Sequence, residues 1–111
     1  MTDRVLSMIG IAKKAGKVCS GTFLSEDAIR KGKAFLVIIA KDSSQGTRKV
    51  LTDKATYYGA PVAVYGTKET FGSILGCNER SAVTILDEGI ARKIQQLIQF
   101  GGIPNGEDQG Q

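Results

Sequence analysis

The sequence predicts an α/β fold: a single-domain three-layer α-β-α sandwich around a mixed four-stranded sheet. Segments with helical spacing of apolar residues alternate with short, β-rich segments along the chain. One of these, FLVIIA at 35–40, is an uninterrupted apolar run of the kind that forms a strand buried on both faces. The helical segments between strands serve as crossovers, so helices should cover both faces of the sheet.

The first part of the chain is expected to fold as helix, strand and helix. Apolar residues recur at helical spacing over 5–12, and a lysine pair followed by a glycine suits the end of that helix. Residues 18–20 form a short extended piece. A second helix then begins at Gly21 or Thr22 and ends at Gly32.

The middle of the chain predicts two strands separated by a third helix. After the strand at 35–40, a helix with one apolar stripe ends at Gly59. The stripe consists of Val50, Leu51, Ala55 and Tyr58. Tyr58 is thus expected in the core and its neighbour Tyr57 at the surface. The next strand, 61–65, opens with Pro61, where a missing N–H is tolerated.

The last part predicts a short helix, a strand and a final helix. Thr67 can cap a helix that ends at Gly76, and AVTIL at 82–86 reads as the last strand. Asp87 then caps a helix with one apolar side.

Beyond Phe100 the sequence is GGIPNGEDQGQ, which is too poor in apolar residues to order itself. The 111 residues, 41% of them apolar, are enough for one globular core. We therefore assign residues 1–100 to one domain and 101–111 to a flexible tail.

The net charge of +4 is unevenly distributed. Residues 1–70 contain twelve Lys and Arg against six Asp and Glu, whereas residues 71–111 contain three against five. A basic surface of this kind favours a polyanionic partner.

Cysteine and histidine content excludes several kinds of site. Cys19 and Cys77 do not form a close-spaced metal or redox motif, and the chain has no histidine. A structural zinc site usually needs four N or S ligands, and histidine is the commonest general base. No secretory segment or apolar stretch of bilayer length is present. We therefore expect a cytoplasmic protein without metal, cofactor or membrane contact.

The loop KDSS at 41–44 follows the predicted central strand, at a position where open α/β sheets commonly bind ligands. It lacks the glycines of a phosphate-binding loop. The interpretation we favour is that Asp42 and the serines cap the third helix. A small-ligand or nucleotide enzyme built on Lys41, Asp42 and Ser43 is the alternative.

Three features converge on one end of the predicted sheet: the helix start at Gly21, Lys68, and the loop GCNERS at 76–81. Here the sequence resembles the kink-turn-binding large-subunit ribosomal proteins of archaeal and eukaryotic type, a family that includes core proteins of box C/D ribonucleoproteins. The resemblance covers residues 4–99 and is strongest to stand-alone bacterial members associated with translation genes. It rests on the segments AKKAGKVCSG (12–21), AIRKGKAFLVIIAKD (28–42), APVAVYGTKETFGSILG (60–76) and AVTILDEG (82–89).

The resemblance implies how the chain would hold RNA. In the family, the helix start after the glycine enters the widened major groove of a sharply bent RNA, and the loop before the last strand packs on a flipped-out base. The RNA-binding residues expected on this basis are Lys17, Ser20, Gly21, Thr22, Phe23, Lys31, Lys68, Cys77, Asn78, Glu79 and Arg80.

The family's base-reading residues are replaced in this chain. The Asn and Glu that read guanine edges are Phe23 and Leu24, the lysine one helical turn later is Asp27, and the basic residue before the glycine is Ser20. Each lost bidentate base contact removes about 1–3 kcal/mol of discrimination. We therefore expect weakened sequence reading.

The sequence as a whole predicts a non-enzymatic RNA-binding protein of ribosomal type. It would bind structured, kink-turn-like RNA as a monomer, with ribosomal RNA as one source. The alternative is a protein-interaction module on the same fold, anchored by exposed Phe23 and Leu24. Burial of these two side chains beneath a basic rim would favour RNA, whereas an exposed apolar patch would favour a protein partner.

Overall fold

The computed structural model describes residues 3–101, which form five helices and four strands. The order along the chain is α1 (Arg4–Lys14), β1 (Val18–Ser20), α2 (Thr22–Arg30), β2 (Leu36–Ile39), α3 (Gln45–Tyr58), β3 (Val62–Val64), α4 (Lys68–Leu75), β4 (Ala82–Ile85) and α5 (Glu88–Gln96), followed by a π-helical turn (Leu97–Gly101). Every predicted helix and strand is present.

The four strands form one mixed sheet in the order β1-β4-β2-β3. β2 and β3 are parallel, whereas β4 pairs antiparallel with both β1 and β2. β2 is an inner strand, and all four of its residues are buried. This confirms the mixed sheet and the buried strand. The prediction is wrong at Phe35, which precedes β2 and is 39% exposed.

The alternating side chains of β2 divide the core into two layers. Leu36 and Ile38 pack with the buried faces of α1, α4 and α5, whereas Val37 and Ile39 pack with Ile29 of α2 and the buried side of α3. Helices therefore cover both faces of the sheet, and the three-layer sandwich is confirmed.

Side-chain caps fix where the helices begin. Thr67 accepts a hydrogen bond from the Thr70 N–H at 3.1 Å, Asp87 accepts one from the Ile90 N–H at 2.9 Å, and Asp3 caps α1 in the same way. The caps predicted at Thr67 and Asp87 are confirmed.

The stripe predicted for the third helix is wrong at two of its four positions. Leu51 and Ala55 are fully buried, but Val50 is 44% exposed and Tyr58 is 47% exposed. Adjacent helical residues point about 100° apart, so Val50 cannot face the sheet beside Leu51. Tyr58 instead lines an open cleft of about 320 Å³ with Phe35 and packs edge-on against Tyr57.

The flexible tail predicted for 101–111 lies outside the described residues from 102 onward. Within residues 3–101, none of the helices has the length and apolarity needed to cross a bilayer.

Candidate nucleic-acid interface

Four connections meet at one end of the sheet, and we call this surface the loop face. They lie at the carboxyl ends of β1, β2 and β3 and at the amino end of the antiparallel β4. The loop face consists of Ser20–Thr22, Lys41–Ser44, Tyr65–Thr67 and Gly76–Ser81.

Backbone hydrogen bonds join these connections to one another and to β4. The Gly21 N–H donates to the Ala82 carbonyl at 3.0 Å, and the Lys41 N–H donates to the Gly66 carbonyl at 2.8 Å. The Arg80 N–H donates to the Lys68 carbonyl at 3.1 Å. The loop face is therefore one connected surface rather than four independent loops.

The KDSS segment is hydrogen-bonded to two other connections. The interpretation that its side chains cap the third helix did not predict these bonds. Ser44 does cap α3, by accepting from the Thr47 N–H. Asp42, however, accepts from the Lys68 N–H at 2.9 Å, and the Ser43 hydroxyl donates to the Ser81 carbonyl at 2.8 Å. The prediction that Asp42 caps the third helix is thus wrong, because its carboxylate binds the first turn of α4.

Arg80 is held beside the start of α2. Its Nε donates to the Ser20 hydroxyl at 3.2 Å, and its Nη1 donates to the carbonyls of Asn78 and Glu79. These bonds orient the guanidinium next to Gly21. Lys68 follows on the same surface, at the first residue of α4.

Two further cations lie at or beside the loop face and were not among the expected RNA-binding residues, although Lys41 belonged to the alternative small-ligand site. Lys41 is exposed, with its ammonium 5.8 Å from the ring centroid of Tyr65. The Arg48 Nη2 donates to the Lys41 carbonyl at 2.9 Å, which places Arg48 against the KDSS segment. For Arg48, the sequence offered one signal: a cation in the first turn of a helix lies near the connection that precedes that helix.

Lys17 and Lys31 lie away from the loop face. The Lys17 carbonyl accepts from the Leu86 N–H, so this residue lies at the opposite end of β1. Lys31 follows the last residue of α2, one helix length from Gly21. The structure therefore brings together Ser20, Gly21, Lys68 and Arg80, but not Lys17 or Lys31.

Asp27 is neutralised by neighbours on its own helix. Its two carboxylate oxygens contact Arg30 at 2.6 Å and Lys31 at 3.0 Å. The hydrogen bond from Lys31, together with the charges of both cations, holds the pKa of the Asp27 carboxyl below its usual range. Asp27, which stands where the resemblance places a lysine, is thus paired with two cations of its own helix.

Phe23 and Leu24 are exposed rather than buried. Phe23 is 81% exposed and Leu24 is 51% exposed. Leu24 borders a cleft of about 260 Å³ beside β1, together with Lys13, Cys19, Leu75 and Cys77. The arrangement expected to favour RNA over a protein partner, with both side chains in the core, is therefore not observed.

Both cysteines line that cleft. Cys77 is exposed in the loop after α4, whereas Cys19 is partly buried in β1 and its thiol donates to the Leu24 carbonyl at 3.6 Å. Burial, and secondarily the negative charge of Asp27, raises the pKa of the Cys19 thiol. The thiolate form of Cys19 is therefore less favoured than that of an ordinary thiol at the same pH.

Comparison with known proteins places this geometry in a family. The model of the "Ribosomal protein L7Ae/L30e/S12e/Gadd45 family" matches residues 3–95. The "RNA-binding protein YlxQ" of Bacillus subtilis is 35% identical over 91 residues, which are 82% of this chain and 91% of the relative. The "Large ribosomal subunit protein eL8" of Cenarchaeum symbiosum is 33% identical over 102 residues, covering 88% of this chain and 79% of the relative.

A solved structure has the same fold over nearly its whole length. It is that of a protein of unknown function from Bacillus halodurans C, with a TM-score of 0.84 and 33% sequence identity. The alignment covers 88% of this chain and 99% of the other.

Proposed function

The chain belongs to the ribosomal protein L7Ae/L30e/S12e/Gadd45 family, and on this premise we propose that it is a non-enzymatic protein that binds structured, kink-turn-like RNA through its loop face. Under this proposal it acts as a monomer in the cytoplasm, and ribosomal RNA is one source of the bound element.

The observation that supports this function most directly is the position of Arg80. Its guanidinium is fixed against Ser20, immediately before the uncapped start of α2. Its backbone N–H donates to the carbonyl of Lys68, the first residue of α4. Phosphate oxygens bind guanidinium and ammonium groups, and they also bind the free N–H groups of a helix start. The loop face offers all three donor types to one sugar-phosphate backbone.

Gly21 permits a close approach of the RNA to the start of α2. Its φ of 88° lies in the region that favours glycine, and no atom lies within 4 Å of the position that a Cβ would occupy. A side chain here would strain the backbone and would occupy the space in front of the helix. The open space in front of Gly21 therefore leaves room for a phosphate group to approach the start of α2.

Base reading is expected to be weak. Phe23 and Leu24 stand where the family has hydrogen-bonding readers, and apolar side chains neither donate to nor accept from base edges. Affinity would then rest on phosphate contacts and on the shape of the RNA, and it should fall steeply with salt.

Filter binding against a kink-turn RNA and a fully paired duplex of equal length tests this function. We expect tighter binding of the kink-turn, and a log–log slope of affinity against salt of about −2 to −3 for about three phosphate contacts. Absence of salt-dependent binding to any structured RNA at micromolar concentration would refute the proposal.

Charge reversals locate the interface. Lys68→Glu and Arg80→Glu should each weaken binding to both RNAs and make the salt slope about one unit shallower. Lys33→Glu is the matched control, because Lys33 is exposed between α2 and β2, at the other end of the sheet. Equal losses in all three variants would show that net charge, not the loop face, governs binding.

A protein-interaction role is the second candidate, because Phe23 and Leu24 are both exposed at the start of α2. Aromatic anchors of this kind are enriched at protein interfaces. It predicts that Phe23→Ala abolishes partner binding and leaves RNA affinity unchanged.

A further inference from the structure

The side chain of Phe23 is exposed at the start of α2 and does not pack in the core. It is 81% exposed and belongs to neither hydrophobic cluster of the described residues. Tyr57 is 82% exposed but packs edge-on against Tyr58, with ring centroids 4.9 Å apart. Leu24, the residue after Phe23, is also exposed, and exposed apolar patches beside a functional surface commonly mark a contact with a ligand or partner.

The backbone beneath Phe23 is anchored. Phe23 is the second residue of α2, and the Gly21 N–H just before the helix donates to the inner strand β4. The Ser25 N–H closes the first helical turn on the Gly21 carbonyl at 3.1 Å. A phenyl ring on such a support has only two side-chain torsions to order on binding, so it forms an aromatic platform at low entropic cost.

The charges near this platform suit a nucleic acid. Arg80 is bound to Ser20, three residues before Phe23, and Lys13 borders the same cleft as Leu24. The acids of α2 are paired, Glu26 with Lys54 at 3.4 Å and Asp27 with Arg30 and Lys31. A negatively charged backbone can therefore pass α2 without facing an unpaired carboxylate of that helix.

We propose that Phe23 stacks on an unpaired nucleobase of the RNA held at the loop face. Stacking on the face of a base thus takes the place of hydrogen bonds to base edges. This inference rests on the proposed RNA-binding function. Stacking requires a free base face, which all four bases have, so the site selects for an unpaired nucleotide rather than for its identity. Phe23 is thus a specificity-determining residue.

Affinity measurements on the full chain test whether the phenyl ring of Phe23 contributes to RNA binding. Phe23→Ala should weaken binding to a kink-turn RNA by about 5- to 150-fold, the range of a lost base–aromatic stack. Phe23→Tyr should retain affinity, because it keeps the ring. Tyr57→Ala is the matched control, since Tyr57 is equally exposed near the far end of α3.

The fluorescence of a tryptophan placed at residue 23 reports directly on the contact between this side chain and a base. The chain contains no tryptophan, so Phe23→Trp introduces a single indole. A stacked base should quench its emission on titration with the kink-turn RNA, whereas the emission of Tyr57→Trp should stay unchanged. The quenching should survive exchange of the unpaired base for any other base and disappear when that nucleotide is abasic.

The outcomes separate this inference from the function on which it rests. If Phe23→Ala binds as the wild type does while Arg80→Glu binds weakly, the RNA-binding function holds and the stacking role is wrong. Phe23 would then remain as a protein-docking residue. If the wild type binds no RNA, both proposals fail. Circular dichroism of Phe23→Ala checks that the exposed substitution leaves the fold intact.

Discussion

At the level of single side chains, α2 rests on a polar part of the sheet. Thr84 of β4 lies opposite Cys19 in register and points toward α2, on the same face as Ala82. The hydroxyls of Thr84 and of Ser25 in α2 are buried without a hydrogen-bond partner among the described residues. A buried hydroxyl without a hydrogen-bond partner costs free energy, so these two groups reduce the stability gained by packing α2 on the sheet.

We therefore expect Thr84→Val to raise the free energy of unfolding by about 1 kcal/mol, because valine keeps the branched shape and removes the unpaired hydroxyl. Urea denaturation measures the change. Ser44→Ala is the contrasting variant, since its hydroxyl is paired as the cap of α3 and its loss should cost about 1 kcal/mol. A destabilised Thr84→Val protein would show that this hydroxyl has a partner.

The cysteines should differ in reactivity with pH. The raised pKa of Cys19 leaves less thiolate than an ordinary thiol has at a given pH, so its alkylation should lag behind that of exposed Cys77 at pH 8. Above the usual thiol pKa of about 8.5, the lag should shrink as Cys19 ionises. Mass spectrometry after a timed iodoacetamide pulse distinguishes the two sites. Equal labelling at pH 8 would contradict the prediction.

At the level of elements, Gly72 of α4 sets the position of the loop that contains Arg80. A Cβ at Gly72 would lie 2.5 Å from the Asn78 carbonyl oxygen and 3.0 Å from that of Cys77. These are backbone atoms, which cannot move aside without displacing the loop. Because Gly72 has no side chain, the backbone of the loop between α4 and β4 can pack directly against α4.

Gly72→Ala should therefore lower both the melting temperature and the affinity for RNA, because it displaces residues 77–80. Gly10→Ala is the control in α1, where no atom lies within 4 Å of the added Cβ. That variant should gain about 0.4–1 kcal/mol of stability and bind RNA unchanged. Calorimetry and filter binding measure the two effects. RNA affinity retained in Gly72→Ala would show that the loop position is unimportant.

Local patterns predicted the elements well but not the contacts between them. Thr67 and Asp87 were identified as caps because a cap and its helix are adjacent in sequence. Asp42 was assigned to α3 on the same grounds, yet it binds an N–H 26 residues away. Arg80 meets Ser20 across 60 residues. No local periodicity encodes such pairs. The sequence therefore placed Gly21, Lys68 and the 76–81 loop at one end of the sheet, but the hydrogen bonds that join them emerged only from the tertiary structure.

At the level of the whole molecule, the sheet has two inner and two edge strands. β4 and β2 are hydrogen-bonded on both sides, whereas β1 and β3 each have one neighbour and are three residues long. All residues of both inner strands are buried. These strands should open only when the domain unfolds as a whole.

Amide hydrogen exchange should accordingly be slowest in β2 and β4 and faster in β1, β3 and α2. NMR exchange rates residue by residue test this order. Protection in α2 equal to that in β2 would mean that the polar contact beneath α2 does not weaken its attachment.

The position of β4 between β1 and β2 has a consequence for biosynthesis. A nascent chain that ends before residue 82 has made β1 but not the strand that joins it to the rest of the sheet. The same nascent chain lacks the Ala82 carbonyl that anchors Gly21. A copy that ends before residue 82 therefore cannot assemble the loop face as it stands in the complete domain, and we expect such a copy to bind RNA more weakly than the finished protein.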